Sequence, residues 1–164
     1  WSLMETFPIL RRSTDANRAA WYVADLVGRF LVQPEPHPVS WEATLGALRS
    51  LQEEEPVAGT VLSFQWRLLC DMGYRPRLDL DGLQGDTLAF SPESGGIVAD
   101  TGGGDRWRVR RGTIDLLVGL ERGDGEIPES ADAPSVKRAS RLLAAWTRDL
   151  LGVESVPMRL LFGS

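Results

Sequence analysis

Cysteine, histidine and lysine are each down to a single residue in this 164-residue chain: Cys70, His37 and Lys137. One cysteine excludes an internal disulfide framework and any metal site built on several thiolates. With only one histidine beside it, most catalysis that depends on His or Cys is short of parts. No apolar run approaches the ~18 uncharged residues of a membrane-spanning helix. Internal repeats and low-complexity tracts are also missing. The chain opens on Trp1 rather than Met and carries no basic-then-apolar leader. It reads as a piece of a longer protein or a processed chain.

What is present is close to the globular average: 43% hydrophobic and 25% charged residues. That composition excludes wholesale disorder, collagen and coiled coil. The length suits a single domain. Acids outnumber bases, 23 to 18, for a net charge of −5. Such a chain is not attracted to nucleic acid as a whole, so any such binding must come from local clusters.

Hydrophobic spacing predicts a helix from about Thr14 to Val32, capped by Thr14 or Asp15. Ala19, Val23, Leu26, Val27 and Phe30 share its apolar face; Arg18, Asp25 and Arg29 lie opposite, with Tyr22 beside them. A proline-rich run at 34–38 breaks it. A second helix is expected from Ser40, as N-cap, to Glu54, with Trp41, Leu45, Leu48 and Leu51 inward. A third, from Ala58 to Met72, is apolar round most of its circumference and belongs at the centre of the core. Gly73 sits at a left-handed C-cap position and Pro76 follows. Residues 75–111 are rich in turn residues, with strand candidates at Thr87–Phe90 and Ile97–Ala99. Further helices are expected over Thr113–Leu120 and Ser135–Leu151, and the apolar tail Val156–Phe162 should dock. The expected fold is mainly α: a helical domain of about five helices with a small irregular β-hairpin insertion.

Two basic clusters stand out. On the last long helix, Lys137, Arg138, Arg141 and Arg148 lie opposite Val136, Ala139, Leu142, Leu143, Trp146 and Leu150. This stripe suits phosphates or an acidic peptide; the alternative is a solvated face that lacks acids. The second cluster is Arg106, Arg108, Arg110 and Arg111, with Trp107 among them. In extended chain the three even-numbered arginines point one way. Arginine forks with an aromatic suit a phosphate backbone or carboxylate. The alternative is a polar face above a strand with Trp107 turned inward.

Other motifs fail on spacing. Asp79, Asp81 and Asp86 hint at calcium. An EF-hand loop from Asp79 would need Gly at Gln84 and Glu at Phe90. Gly102-Gly103-Gly104 is followed by Asp105-Arg106 rather than Lys-Ser/Thr, so it is no phosphate loop. Trp107 occupies the last glycine position of a dinucleotide fingerprint. Cys70 is expected to be buried and inert. His37 is expected to be exposed. Glu53-Glu54-Glu55 reads as a charged helix end.

Two segments at fixed spacing are more specific. One is Leu68-Leu69-Cys70-Asp71-Met72-Gly73-Tyr74-Arg75-Pro76-Arg77-Leu78-Asp79. The other is Phe90-Ser91-Pro92-Glu93-Ser94-Gly95-Gly96-Ile97-Val98. With the helices around them, they resemble the C-terminal part of the RecO family of bacterial DNA repair and recombination proteins. The resemblance covers nearly the whole chain and is best over residues 60–100. It implies that residues 1–12 are the tail of a preceding OB-fold domain. Residues 13–164 are then the helical domain, with 75–111 a degenerate zinc-finger-like insertion. Many family members hold zinc there with two Cys-x-x-Cys pairs. Here Asp81 stands at the first pair, and Ala99 and Gly102 at the second. Zinc needs about four N or S ligands, and residues 75–111 hold neither Cys nor His. No cofactor is expected. Leu78, Leu88, Phe90, Ile97 and Val98 should hold the insertion by packing instead.

The resemblance further implies a recombination mediator, not an enzyme, in the bacterial cytoplasm at the nucleoid. Its implied partners are single- and double-stranded DNA, RecR and the acidic, aromatic-ended tail of the single-stranded-DNA-binding protein. It would support strand annealing and RecA loading, with no membrane partner. Charge geometry selects Lys137, Arg138, Arg141 and Arg148 as peptide or phosphate contacts. It selects Arg106, Arg108, Arg110 and Arg111 as DNA-backbone contacts. The alternative is a helical protein-interaction module without nucleic-acid binding.

Overall fold

Ser13 starts the first helix: its hydroxyl accepts the N–H of Ala16 at 3.2 Å. The structure is a computed structural model that describes residues 5–32, 35–83, 87–102 and 104–163. After a short 3-10 turn at Pro8–Arg11 come α1 (Thr14–Phe30), α2 (Pro38–Gln52) and α3 (Val57–Asp71). Three strands follow: β1 (Thr87–Ser91), β2 (Gly96–Val98) and β3 (Trp107–Arg110). Then come α4 (Arg111–Arg122), α5 (Ala133–Leu151) and α6 (Val156–Phe162). The fold is mainly α with a small β insertion. It has six α-helices among the described residues because the docked tail is itself helical. The insertion is a three-stranded antiparallel sheet in the order β2-β1-β3, one strand more than a hairpin.

The apolar circumference of α3 has a direct cause: the helix serves two cores. Leu62, Trp66 and Leu69 join the sheet, α4 and α5; Val61, Phe64 and Leu68 join α1, α2 and α6. Its end is a Schellman turn. Gly73 takes φ +79°, its N–H donates to the Cys70 carbonyl, and the Tyr74 N–H reaches back to Leu69.

Two side-chain placements differ from expectation. Trp41 is 59% exposed; Leu51 is buried as expected, but α2 buries Ser40, Ala43, Thr44 and Ala47 beside it. That face is turned about 100° from the Trp41–Leu45–Leu48 stripe. Its small residues let α2 lie close against α3. Ser40 is not the N-cap: Pro38 opens the helix, and Ser40 sits in its first turn. Tyr22 leaves the polar side of α1 and is fully buried, its hydroxyl oxygen accepting a hydrogen bond from the Gln65 side-chain amide. On the polar side of α1, Asp25 and Arg29 pair one turn apart at 2.9 Å.

In the sheet, Phe90 faces Ile97 on one neighbour and Trp107 on the other. Its ring stacks on Trp107 at 5.7 Å and meets Trp146 of α5 edge-on at 5.2 Å. Leu88, Phe90 and Ile97 are buried in the core and Leu78 packs against it. Of the calcium candidates, Asp79 accepts the N–H of Asp81 at 3.1 Å in a local turn. Asp86, Gly103 and Pro34 lie outside the described residues.

Candidate functional site

The two basic clusters occupy different parts of the molecule. Arg106, Arg108 and Arg110 belong to β3 and its approach; Arg111 opens α4. Alternation along β3 buries Val109 and half-buries Trp107, leaving Arg108 and Arg110 exposed. Arg106 donates to the Ala99 carbonyl at 3.2 Å and the Thr101 hydroxyl at 3.0 Å, bracing the β2–β3 loop. Arg108 lies 2.8 Å from the Asp100 carboxylate. Arg111 lies 3.2 Å from Asp115, one helical turn on. Arg110 has no ion pair among the described residues.

On α5, spacings of three, four and seven residues align Lys137, Arg138, Arg141 and Arg148 along one face. Lys137 is exposed and makes no ion pair among the described residues. Arg138 is tied down: Nε donates to the Thr113 hydroxyl at 3.3 Å and Nη2 to Ser135 at 2.7 Å. Asp132 lies 4.0 Å away. Arg141 donates to the Phe162 carbonyl at 3.3 Å, a cation at the C-terminal end of α6. Arg148 faces Glu154 at 3.6 Å.

Arg108, Arg111, Arg138 and Arg148 therefore have carboxylate neighbours, whereas Lys137, Arg106, Arg110 and Arg141 have none among the described residues. The paired arginines still face water. Exposed ion pairs contribute only about 0–1 kcal/mol, so an anionic ligand displaces the carboxylate at small cost.

An apolar groove of about 610 Å³ lies between α2, α3 and the start of α5. Ala43, Ala47, Phe64, Ile127 and Val136 form its floor, and Glu53, Glu55, Arg67 and Glu126 lie along it. None of the four basic residues of α5 lines it. The structure does not join that stripe to this groove.

Cys70 is half-buried rather than fully enclosed, and desolvation pushes its thiol up. His37 is not simply exposed. It precedes α2, and its Nδ1 lies 3.7 Å from the Asp71 carboxylate. No group of three or more His, Cys, Asp or Glu among the described residues is placed to hold a metal ion. Asp81, Ala99 and Gly102 do not fit a zinc centre. Among the described residues no helix is long and apolar enough to cross a membrane.

Sequence reasoning gave Tyr74, Arg75 and Arg77 no binding role, yet they line a second cleft, over Trp146. The signal available was their position inside the first of the two quoted segments.

A mainly helical body with a three-stranded insertion and exposed arginines defines a class of small helical domains. Within it, the chain belongs to the family described as Recombination protein O C terminal, whose model matches residues 11–157. Relatives include the DNA repair protein RecO of Desulfitobacterium hafniense (strain DSM 10664 / DCB-2), 31% identical over 134 residues. That match covers 74% of this chain and 48% of the relative. The DNA repair protein RecO of Roseiflexus sp. (strain RS-1) is 32% identical over 111 residues, covering 64% and 39%. That of Ralstonia nicotianae is 31% identical over 118 residues, covering 69% and 43%. The chain thus spans about half or less of the length of the curated relatives it matches. No solved structure matches.

Proposed function

We propose that this chain serves DNA repair and recombination as a non-catalytic mediator. The family match over residues 11–157, with relatives named DNA repair protein RecO, carries the reading. In it, Arg106, Arg108, Arg110 and Arg111 touch the DNA backbone. Lys137, Arg138, Arg141 and Arg148 hold the acidic tail of the single-stranded-DNA-binding protein. RecR is the protein partner, RecA loading and strand annealing are the outcomes, and the bacterial cytoplasm is the setting. No cofactor takes part.

A second reading, a helical interaction module without nucleic-acid contacts, draws support from the carboxylates beside Arg108, Arg111, Arg138 and Arg148. Fluorescence anisotropy separates the two. The mediator reading expects DNA binding that is weak and strongly salt-dependent. It also expects uptake of an acidic peptide ending in Phe. Reversing Arg138 and Arg141 to Glu should weaken that peptide by about 1–3 kcal/mol. Arg138 also bonds Thr113 and Ser135, so Arg141→Glu alone is the cleaner variant. Loss of both DNA and peptide binding in the unaltered chain favours the interaction module. Unchanged peptide affinity in the variants removes these arginines from the site.

A further inference from the structure

Two segments, 73–77 and 92–96, take no part in the surfaces above. They fold onto each other. The Arg77 N–H donates to the Gly95 carbonyl at 2.9 Å, and the Ile97 N–H to the Arg77 carbonyl at 2.9 Å. The Arg77 guanidinium also donates to the Ser94 carbonyl. The approach is so close that a Cβ on Gly96 would lie 2.6 Å from Arg77 Cβ and its carbonyl oxygen. Gly95, at φ +65°, rests on the Trp146 indole, its Cβ position 3.2 Å from Cζ2. The glycines bring the backbone down onto α5 and leave a cleft of about 430 Å³ beside it.

Trp146 and Leu150 line the cleft from α5; Tyr74, Arg75 and Arg77 line it from the first segment. Trp146 is 3% exposed, and its buried Nε1–H has no acceptor among the described residues. Gly95 covers the Cζ2–Cη2 edge of the indole, its Cβ position 3.2 and 3.9 Å from those carbons. A buried donor without an acceptor is costly and uncommon in a native protein. Tyr74 is 44% exposed; the Phe30 ring lies 6.1 Å from it, tilted by 59°, and the rest of its surface is open to solvent. Arg75 is only loosely held, 3.8 Å from Glu121. Glu93 also lines the cleft.

A part-exposed phenol ring and two guanidinium groups match a ligand with a flat face and phosphates. An unstacked base on an exposed ring, with its phosphates on arginines, is how single strands are held without sequence reading. A duplex offers no free base face. An aromatic peptide end is anchored by burial in an apolar pocket, whereas Trp146 is already covered here and the wall facing Tyr74 is Pro92, Glu93, Ser94 and Gly95. We propose that the cleft between residues 73–77 and 92–96, over Trp146, binds a nucleotide of single-stranded DNA. In that complex the base stacks on Tyr74 and the phosphates lie on Arg75 and Arg77. This rests on the DNA-handling reading above and adds to it a separate contact site.

The test is anisotropy of a labelled oligothymidylate at low salt with the whole chain, the Tyr74→Ala, Tyr74→Phe and Arg75→Glu variants, and an Arg108→Glu comparison. Thermal melting checks that each variant is folded. Tyr74→Ala and Arg75→Glu should each weaken binding at least about fivefold, and Tyr74→Phe should restore it. An oligonucleotide carrying 5-iododeoxyuridine should photocrosslink to the peptide that contains Tyr74. Unchanged affinity in folded Tyr74→Ala and Arg75→Glu, with Arg108→Glu weakened, overturns this site and leaves the DNA reading standing. No binding by the unaltered chain overturns both. A Phe-ended acidic peptide that displaces the strand and itself depends on Tyr74 makes this a peptide site and overturns the assignment.

Discussion

The Gln65 side-chain amide donates to the Tyr22 hydroxyl at 2.9 Å, and both side chains are fully buried. The Ser140 hydroxyl closes the chain by donating to Gln65 Oε1 at 3.2 Å. One polar network thus joins α1, α3 and α5 inside an apolar body. Burial pushes the Tyr22 phenol far above its ordinary range, so it stays protonated. Tyr22→Phe strands the Gln65 amide without its acceptor and should cost about 1–3 kcal/mol in urea unfolding. Tyr22→Phe with Gln65→Leu should cost less than the two single losses added, because neither partner then remains stranded. Strict additivity would show that the groups do not act as a pair.

Asp71, at the end of α3, caps a helix that begins 33 residues earlier. Its Oδ2 accepts the Ser40 N–H at 3.1 Å and the Ser40 hydroxyl at 2.5 Å. His37, the residue before α2, makes no capping bond with its side chain. The long-range carboxylate therefore takes over a job that sequence-local capping leaves undone. Asp71→Ala should lower stability by about 1–2 kcal/mol. Asp71→Asn keeps an acceptor and should lose less. Equal losses in denaturant unfolding would place the effect elsewhere.

Asp132 caps α5 in the ordinary local way. Its two oxygens accept the Ser135 hydroxyl at 2.7 Å and the Ser135 N–H at 2.8 Å. Those bonds, the hydroxyl first, hold the carboxyl below its usual 3.8. A carboxyl lowered on folding favours the folded chain above its unfolded value, and the benefit fades as pH falls through the folded one. The thermal midpoint of the natural chain should exceed that of Asp132→Ala at neutral pH. The gap should shrink once pH drops below 3.8. A gap constant through the acid range would assign the effect to packing.

The stripe of α1 and the all-round apolarity of α3 were legible because their residues carry the burial signal themselves: Ala19, Val23 and Leu26, then Leu62, Phe64 and Trp66. The buried face of α2 was not. It is built of Ala43, Ala47 and Thr44, while the large Trp41 points outward, and residue size misleads a periodicity count. Tyr22 could not be placed without Gln65, 43 positions away. The basic clusters were legible as positions along single elements. Their neutralising partners Asp100 and Glu154 sit on loops, where charge patterning along a helix or strand does not reach. The cleft over Trp146 arises only when two separated segments meet, so its arginines carried no visible pattern.

The insertion should hold without metal. Residues 75–111 contain neither Cys nor His. Phe90 lies between Trp107 and Trp146, and Leu88 and Ile97 complete a buried apolar seam. We propose that this seam takes the place of a zinc centre, which a domain with too little apolar surface would need. Metal analysis should find no stoichiometric zinc, and a chelator should leave the melting midpoint unmoved. One zinc per chain, with a lower midpoint on chelation, would overturn this.

Arg108 offers the sharpest test of the sheet as a DNA surface. Its guanidinium is 74% exposed yet sits 2.8 Å from Asp100. A phosphate must displace that carboxylate before it gains the arginine. Asp100 Oδ1 also accepts the Gly102 N–H at 3.1 Å, a turn bond that asparagine retains. Asp100→Asn therefore removes the competing charge and keeps the loop. An exposed pair of this kind is worth about 0–1 kcal/mol, so DNA binding at low salt should tighten by roughly two- to fivefold. The plot of log affinity against log salt should steepen, because a freed arginine releases a further counterion from the strand. Affinity and slope both unchanged in Asp100→Asn would take Arg108 off the DNA surface and favour its role as a brace for the β2–β3 loop.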